Sequence, residues 1–390
     1  MDSKKIKLTH IITGLNIGGA EMMLLKLTQK MNKNLFEIKI ICLSGKGPLN
    51  QEFEKIGIEV NNCNITFLRS LSGLISLYKF LKKASPDIVH TWLYHSDFLG
   101  GIFAFFMGIK NIVWNIRGSY IGFRLNKLHT FLIIYINSLL SNYIPKAIIS
   151  NSFECINIFS SIGYKSDIFK FIPNGFDTQK FSPNKIFRNS IRKEIQIPDK
   201  SKLIGYIARF DVQKNHFGFI KIASIIKSKM PDVYFALAGK GIDYKNTVLL
   251  DWLDKFNLRS SFRLLGSRND INKINSALDL YLSPSYGEGF PNSIGEAMSC
   301  GVPCIATNVG DCKQIIDNEE LISEVDDTED LINKTLVALN WNNEEFYKQS
   351  FLVRKRIKEL YSLENVKDKY EEFYKSLIKK DYSYFKNHKL

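Results

Sequence analysis

Two acidic side chains eight positions apart, Glu288 and Glu296, lie in the run Ser283-Pro284-Ser285-Tyr286-Gly287-Glu288-Gly289-Phe290-Pro291-Asn292-Ser293-Ile294-Gly295-Glu296. Carboxylates accept hydrogen bonds from vicinal hydroxyls, which suits a sugar or a ribose. The run reads as a strand ending at Ser283, a Gly-rich loop and a helix opening near Pro291, where proline is tolerated in the first turn. Such a helix start presents unpaired N–H groups and a partial positive charge. Gly289, Phe290, Pro291 and Asn292 form the approach to it. The plain alternative is a pair of acids capping a positive helix end.

A second constellation, Arg209-Phe210-Asp211-Val212-Gln213-Lys214-Asn215-His216, directly follows the strand pattern Leu203–Ala208. Two cations at a strand's carboxyl end are suited to clamping a diphosphate; otherwise they are exposed surface charges. A third is the loop Gly14-Leu15-Asn16-Ile17-Gly18-Gly19-Ala20-Glu21. Its glycines allow close backbone approach at a helix N-terminus, although a Gly-Gly pair is often only a tight turn. The spacing is not G-x-G-x-x-G and no acidic residue closes a second strand, so a dinucleotide site is not expected.

Short apolar runs alternate with helical patterns around these loops. In the first part they are Ile6–Ile12, Ile38–Leu43, Asp87–His90 and Asn111–Asn115, with helices over Ala20–Met31 and Gln51–Ile56. The pattern pauses near Ile172–Asp177 and restarts at Leu203. Val233–Ala238, Phe262–Leu265, Leu278–Ser283 and Pro303–Thr307 then read as strands, and Phe217–Lys229 as a helix. This alternation predicts βαβ units and parallel sheets. The expected fold class is α/β with two Rossmann-like domains facing across a cleft. The expected divisions are 1–177, a linker over 178–202, a second domain over 203–365, and a C-terminal helix and basic tail, 366–390, returning to the first domain. Glu345–Lys379 reads as one long charged helix, ahead of the basic, aromatic tail Asp381–Leu390.

The 390 residues are 45% hydrophobic and 24% charged, which excludes a largely disordered chain and calls for more than one core. The net charge of +14 is uneven: residues 1–180 hold 21 Lys+Arg against 11 Asp+Glu. That field favours an anionic partner: nucleic acid, acidic lipid or a phosphorylated substrate. The nucleic-acid reading lacks aromatic–basic interleaving on a small module and leaves the two glutamates unexplained. The six cysteines form no C-x-x-C pair and read as buried apolar residues of a reducing compartment. No secretory signal is legible. The apolar stretch Leu128–Ile149 is interrupted by His129, Asn137, Ser138, Asn142 and Pro145, short of the ~20 apolar residues a spanning helix needs. A cytoplasmic protein is expected, with peripheral attachment to the inner membrane face as an open alternative.

The combination resembles the retaining glycosyltransferases of the GT-B fold, family 4, of the bacterial surface-polysaccharide type. It rests on the Gly-Gly-Ala-Glu loop, Ile172–Asp177, Arg209 with Lys214, Gly266–Ile271, and Glu288 with Glu296. The resemblance implies a nucleotide-sugar donor, UDP by default, and a glycan or polyprenyl-phosphate-linked acceptor. It implies that Arg209 and Lys214 hold the diphosphate and that Glu296 binds the ribose. Glu288 would contact the donor sugar, as nucleophile or beside a front-face reaction, with Gly289 and Phe290 alongside. Gly18 and Gly19 would lie near the donor phosphate or the acceptor, and the backbone around Arg268 would meet the base. Where many relatives carry a histidine after Ile112–Ile116, this chain has Arg117; His90 and His95 are candidates for the acceptor side. No cofactor or metal is expected, because two fixed cations can replace one and no D-x-D triplet occurs. A patch of Tyr120, Phe123, Arg124 and Lys127 suits an anionic membrane face. Two rivals remain. A nucleotide-sugar epimerase would convert donor without acceptor, and a non-enzymatic anion-binding protein would bind without turnover.

Overall fold

The computed structural model describes residues 4–66, 70–118 and 128–379. The patch Tyr120, Phe123, Arg124 and Lys127 and the tail Asp381–Leu390 lie outside the described residues. Two compact units divide the chain. The first runs to Gly175 and includes the chain from Leu363 onward; the second is Phe176–Ser362.

The first unit alternates β1 (Ile6–Ile12), α1 (Gly19–Lys30), β2 (Phe36–Cys42), α2 (Asn50–Lys55), β3 (Glu59–Asn62), α3 (Ser70–Ala84) and β4 (Ile88–Trp92). It continues with α4 (Tyr94–Phe106), β5 (Ile112–Ile116), α5 (Leu128–Leu140), β6 (Ala147–Ser150), α6 (Phe153–Ser161) and β7 (Phe169–Phe171). The strands form one parallel sheet in the order β3-β2-β1-β4-β5-β6-β7. Every residue of β4 and β5 is buried, as expected for parallel strands covered on both faces. On one face Leu8, Ile12 and Trp92 pack with α1 and the C-terminal helix. On the other, Ile11, Val89 and Trp114 pack with α3, α4, α5 and α6.

The second unit holds α7 (Lys185–Glu194), β8 (Lys202–Ile207), α8 (His216–Lys229), β9 (Val233–Ala238), α9 (Thr247–Lys255), β10 (Phe262–Leu264), α10 (Ile271–Ala277) and β11 (Leu280–Ser283). There follow α11 (Asn292–Ser299), β12 (Cys304–Thr307), α12 (Cys312–Ile316), β13 (Ile322–Ser323), α13 (Thr328–Leu339) and α14 (Asn343–Leu360). Its parallel sheet is ordered β10-β9-β8-β11-β12-β13. The strand order switches direction between β8 and β11, and ligands of such sheets bind outside the carboxyl ends at that switch. These are the two strands that carry the Arg209 and Glu288 loops.

Two expectations are corrected. The stretch 178–202 is not a linker but part of the second unit. The helix α7 inside it buries Ile191 and Arg192, and Arg188 donates to the carbonyl oxygens of Ala277 and Leu278 at 3.0 and 3.1 Å. Arg354 adds bonds to the carbonyls of Thr178 and Phe181, both at 3.1 Å. Nor is Glu345–Lys379 one helix. α14 stops because the carbonyl of Tyr361 accepts from the Phe176 N–H at 2.8 Å, and Ser362 pairs with Phe176 as a β-bridge.

A separate helix, α15 (Leu363–Lys379), then packs on the first unit. Val366, Tyr370, Phe373, Tyr374 and Leu377 recur at helical spacing and are buried in the core with Leu24, Leu27 and Trp92. Full burial of such side chains is worth about 1.5–3 kcal/mol each. Glu371, also buried, accepts from the Asn32 backbone N–H at 2.7 Å, just beyond α1. No helix of the described residues is long and apolar enough to cross a membrane.

Candidate functional site

At the carboxyl edge of the second sheet, backbone bonds tie successive loops together. The Phe210 N–H donates to the Lys240 carbonyl at 2.8 Å, and that of Gly239 to Gly266 at 2.8 Å. The Tyr286 N–H donates to Gln213 at 2.8 Å, and that of Asp311 to Gly289 at 3.0 Å. Five loops therefore form one rigid rim. Two glycines permit it. Gly239 has φ +148°, and a Cβ there would lie 2.0 Å from the Ala208 carbonyl oxygen. Gly310 has φ +53°, and its Cβ would lie 2.4 Å from the Gly289 oxygen. Side chains at either place would push the rim apart.

Lys214 and Glu288 meet on this rim, Nζ 2.5 Å from Oε1, with both side chains largely buried. Ser285 Oγ donates to the same Oε1 at 2.9 Å. The Tyr206 hydroxyl lies 2.8 Å from Ser285 Oγ and 2.9 Å from the Lys214 carbonyl oxygen. Burial pushes the Tyr206 phenol well above its usual range, so it stays a neutral hydrogen-bonding post. Thr307 donates to the Ser285 carbonyl at 2.6 Å, and Asn215 Nδ2 to that of Pro284 at 3.0 Å. A cation and a carboxylate are thus fixed side by side before the first turn of α11.

The other predicted residues fall in distinct settings. Arg209 is exposed and pairs with Asp211 at 3.0 Å, whose own carboxylate caps the Gln213 N–H. Burial pushes the Asp211 carboxyl up, but the Gln213 N–H, then Arg209 and Lys214, together hold it below its ordinary range. Pro291 caps α11 and Asn292 opens it, exposed; Glu296 is half-buried one turn further on. The Phe290 ring belongs to the core, stacked on Phe176 at 6.0 Å and against Tyr361 at 6.0 Å, so only its backbone faces the loop. The Arg268 guanidinium is committed to Asp270 at 2.8 Å and Glu194 at 2.6 Å.

Sequence reasoning did not single out Tyr206, Thr307 and Asp311, which lie in no quoted pattern, or Ser285, which lies inside the Glu288 run; together they hold the pair and the rim. Asn215 had a signal: an asparagine just before a helix. It adopts φ +49° and accepts from the Gly218 N–H.

In the first unit, Gly18 caps α1 and Gly19 opens it. A Cβ on Gly18 would lie 2.4 Å from Glu21 Oε2, so the Glu21 carboxylate already covers this helix start. Burial raises that carboxyl above its usual value.

His90 is corrected: it is fully buried inside β4, two residues before the strand's end, with no exposed surface to offer an acceptor. Its Nδ1 lies 2.7 Å from the Tyr374 hydroxyl and its Nε2 lies 3.2 Å from Asn115 Nδ2. Arg117 is bound into the same cluster. It donates to Asn115 at 3.0 Å, to Tyr370 at 3.0 Å and to Asn174, with its guanidinium 4.5 Å from the Trp92 ring centre. His95 is half-buried beside His129, ring centres 5.8 Å apart.

Burial pushes the His10 ring down to about 3, and burial, then His10 and Arg117, pushes His90 well below its usual value. Both rings are neutral in the fold and protonate freely when unfolded. Their stabilisation is therefore complete above the unfolded value of about 6.5 and is lost as pH falls toward the folded one. For His10 the loss at pH 5 is about 2 kcal/mol. Asp97 acts oppositely, because burial raises it well above its usual value. The expected result is that neither His10 nor His90 titrates between pH 8 and pH 5 by NMR. A midpoint near 6.5 for either ring contradicts its burial.

Two family models match the chain: Glycosyltransferase Family 4 over residues 17–180 and Glycosyl transferases group 1 over residues 187–349. The chain is a glycosyltransferase of the family 4 type. Among its relatives is the UDP-Gal:alpha-D-GlcNAc-diphosphoundecaprenol alpha-1,3-galactosyltransferase of Escherichia coli, 29% identical over 84% of this chain and 87% of that protein. Another is the N,N'-diacetylbacillosaminyl-diphospho-undecaprenol alpha-1,3-N-acetylgalactosaminyltransferase of Campylobacter jejuni, 26% identical over 69% and 72%. Anabaena Alr3699/HepE in complex with UDP superposes with a TM-score of 0.82 at 19% identity, covering 95% of this transferase and 100% of that chain. Its two parallel-sheet units are accordingly those of the GT-B fold.

Proposed function

We propose that this transferase moves a sugar from a UDP-sugar to a polyprenyl-diphosphate-linked glycan, with retention, during assembly of a bacterial surface polysaccharide. The observation that carries the reading is the Lys214–Glu288 pair fixed by Ser285 before the α11 N-terminus. The lipid-linked acceptors named for the Escherichia coli and Campylobacter relatives support the acceptor class.

Transfer breaks the bond between the anomeric carbon and the phosphate oxygen, and the electron pair leaves on the diphosphate. Lys214, Arg209 and the partial positive charge at the N-terminus of α11 would receive that charge without a metal. The acceptor hydroxyl bonds to the anomeric carbon on the same face and passes its proton to the departing phosphate oxygen. Glu288 is a poor nucleophile here, because its Oε1 is already held by an ammonium and a hydroxyl. Its place in this reading is to orient the donor sugar.

The test is a screen of nucleotide-sugars with chelator present, following donor hydrolysis and the anomer of the released sugar by NMR. Retained anomer from a UDP-sugar supports the reading; an inverted anomer, or an epimer formed from donor alone, overturns it. Glu296→Ala is expected to weaken free UDP binding about tenfold, the scale of a lost hydrogen bond to a charged group. An unchanged dissociation constant by titration removes Glu296 from the ribose.

A further inference from the structure

A cavity of about 420 Å³ opens at the amino edge of the second sheet, the edge opposite the Lys214–Glu288 rim. It lies where α7 and α14 begin and where the chain enters β8, β11 and β12. A volume of this size suits a small molecule. Leu278 and Val302, both buried, supply apolar wall. Phe346 and Tyr347 flank it from the first turn of α14, the tyrosine 68% exposed.

Four cations line the cavity: Lys185, Arg188, Lys200 and Lys202. Among the described residues the carboxylates on its wall are Asp199 and Asp279. Asp279 is already taken, at 2.6 Å by Arg188 and at 2.5 Å by the buried Arg192. The plain alternative is a set of solvated surface lysines. Along α14, however, Lys348 and Lys355 pair with Glu345 and Glu359 at 3.3 and 3.9 Å, whereas among the described residues Lys185, Lys200 and Lys202 have no ion-pair partner. The Lys202 ammonium instead lies 5.8 Å from the Phe346 ring centre. Lys185 arrives from α7, and Lys200 and Lys202 from the entry to β8, so the fold gathers this charge into one concavity. The start of α7 adds to it, with no acid in its first turn.

Concave surface of one sign concentrates an ion of the other. Four cations against two carboxylates leave an excess of two, which a phosphate monoester answers with its charge near neutral pH. The two rings beside the lysines offer a stacking surface to a planar group.

We infer that this cavity binds a phosphate monoester with a planar body, the chemistry of a nucleoside monophosphate. The phosphate sits among Lys185, Lys200 and Lys202 and the planar body against Phe346 and Tyr347. The inference goes beyond the transferase reading, and the cavity shares no residue with the Lys214–Glu288 rim.

The experiment is titration calorimetry of the full chain with adenosine monophosphate, glucose 1-phosphate and inorganic phosphate. It is run on the parent and on Lys214→Ala, which removes the buried cation of the rim. Both chains are expected to bind one adenosine monophosphate, at least about fivefold more tightly than inorganic phosphate, the scale of one stacked base. Lys185→Glu/Lys200→Glu reverses two exposed charges, keeps the circular dichroism spectrum, and is expected to weaken all three probes at least about tenfold. Tyr347→Ser is expected to weaken adenosine monophosphate and leave inorganic phosphate unchanged. At a hundred times its dissociation constant, adenosine monophosphate is expected to raise the melting midpoint of the second unit by roughly 5–11 °C. Absence of binding by the parent overturns the inference, and so does equal affinity in the parent and Lys185→Glu/Lys200→Glu. Binding that disappears in Lys214→Ala returns the phosphate to the rim and overturns it too. Tighter binding of glucose 1-phosphate than of adenosine monophosphate overturns the planar body. Donor hydrolysis by Lys185→Glu/Lys200→Glu, expected to match the parent, reads the rim separately. Adenosine monophosphate bound without hydrolysis of any nucleotide-sugar leaves the cavity standing while the transfer reading falls.

Discussion

With donor at saturation, Lys214→Ala is expected to turn over about 10²–10³-fold more slowly than the parent chain, the cost of removing one preorganised donor at a developing negative charge. Two effects act in the same direction. The ammonium no longer meets the departing diphosphate, and Glu288 loses the cation 2.5 Å from its Oε1. A carboxylate that has lost its cation repels a diphosphate beside it. Glu288→Gln separates these effects, because it keeps an acceptor for Ser285 while removing the negative charge. If Lys214 acts only by neutralising Glu288, the double variant recovers most of the rate. If it acts on the phosphate, the double variant stays as slow as Lys214→Ala. Arg209→Ala is expected to lose turnover as well. Its side chain is 61% exposed and held by Asp211, a geometry that lets it turn to a phosphate with little desolvation. Kinetics at saturating donor, with circular dichroism to confirm the fold, decide the matter. A Lys214→Ala rate within about threefold of the parent removes the phosphate role assigned by electrostatic preorganisation.

Local signals made much of this rim legible in the sequence. Parallel strands place all their carboxyl ends on one edge, so the loops at Arg209 and Glu288 could be placed on that edge from the strand patterns alone. The Lys214–Glu288 contact was not legible, because it spans 74 residues and depends on β8 lying beside β11. His90 was misplaced for a related reason. The apolar pattern of β4 looked finished at His90, yet Thr91 and Trp92 extend the strand and bury the ring. The stretch 178–202 looked like a linker because it is polar and holds two prolines. Phe187, Ile191 and Ile195, spaced four apart, were the overlooked signal of a helix with one packed face. The break between α14 and α15 had no composition signal, since the bond that ends α14 comes from Phe176, far away in sequence.

That misread stretch also supplies the largest expected loss of stability. Asp279 sits just before β11 and is nearly buried. Its Oδ2 accepts from Arg192 at 2.5 Å and from the Leu203 N–H at 2.7 Å, and its Oδ1 from Arg188 at 2.6 Å. Arg192 is buried too, with further bonds to the carbonyls of Ala277 at 3.0 Å and Ser201 at 2.9 Å. One carboxylate thus joins α7 to the start of β8 and the start of β11. Asp279→Ala leaves a guanidinium buried without a counter-charge and a backbone N–H without an acceptor. Removing one partner of a buried pair costs about 3–5 kcal/mol. At about 2–4 °C per kcal/mol for a unit of this size, the second unit's melting midpoint is expected to fall by roughly 6–20 °C. Asp279→Asn, which still accepts from Leu203, is expected to fall less. Arg192→Met/Asp279→Leu, which removes both charges, is expected to fall least. Activity separates this role from a catalytic one. The clamp grips the strands at their amino ends, and the Lys214–Glu288 rim lies at their carboxyl ends. Four to six residues at about 3.3 Å each put roughly 13–20 Å between them. Well below its melting midpoint, Asp279→Ala is therefore expected to keep kcat within about threefold of the parent, because effects of distant changes with no shared partner add independently. A large fall in kcat with an unchanged melting midpoint reverses the assignment and makes the clamp part of the catalytic rim.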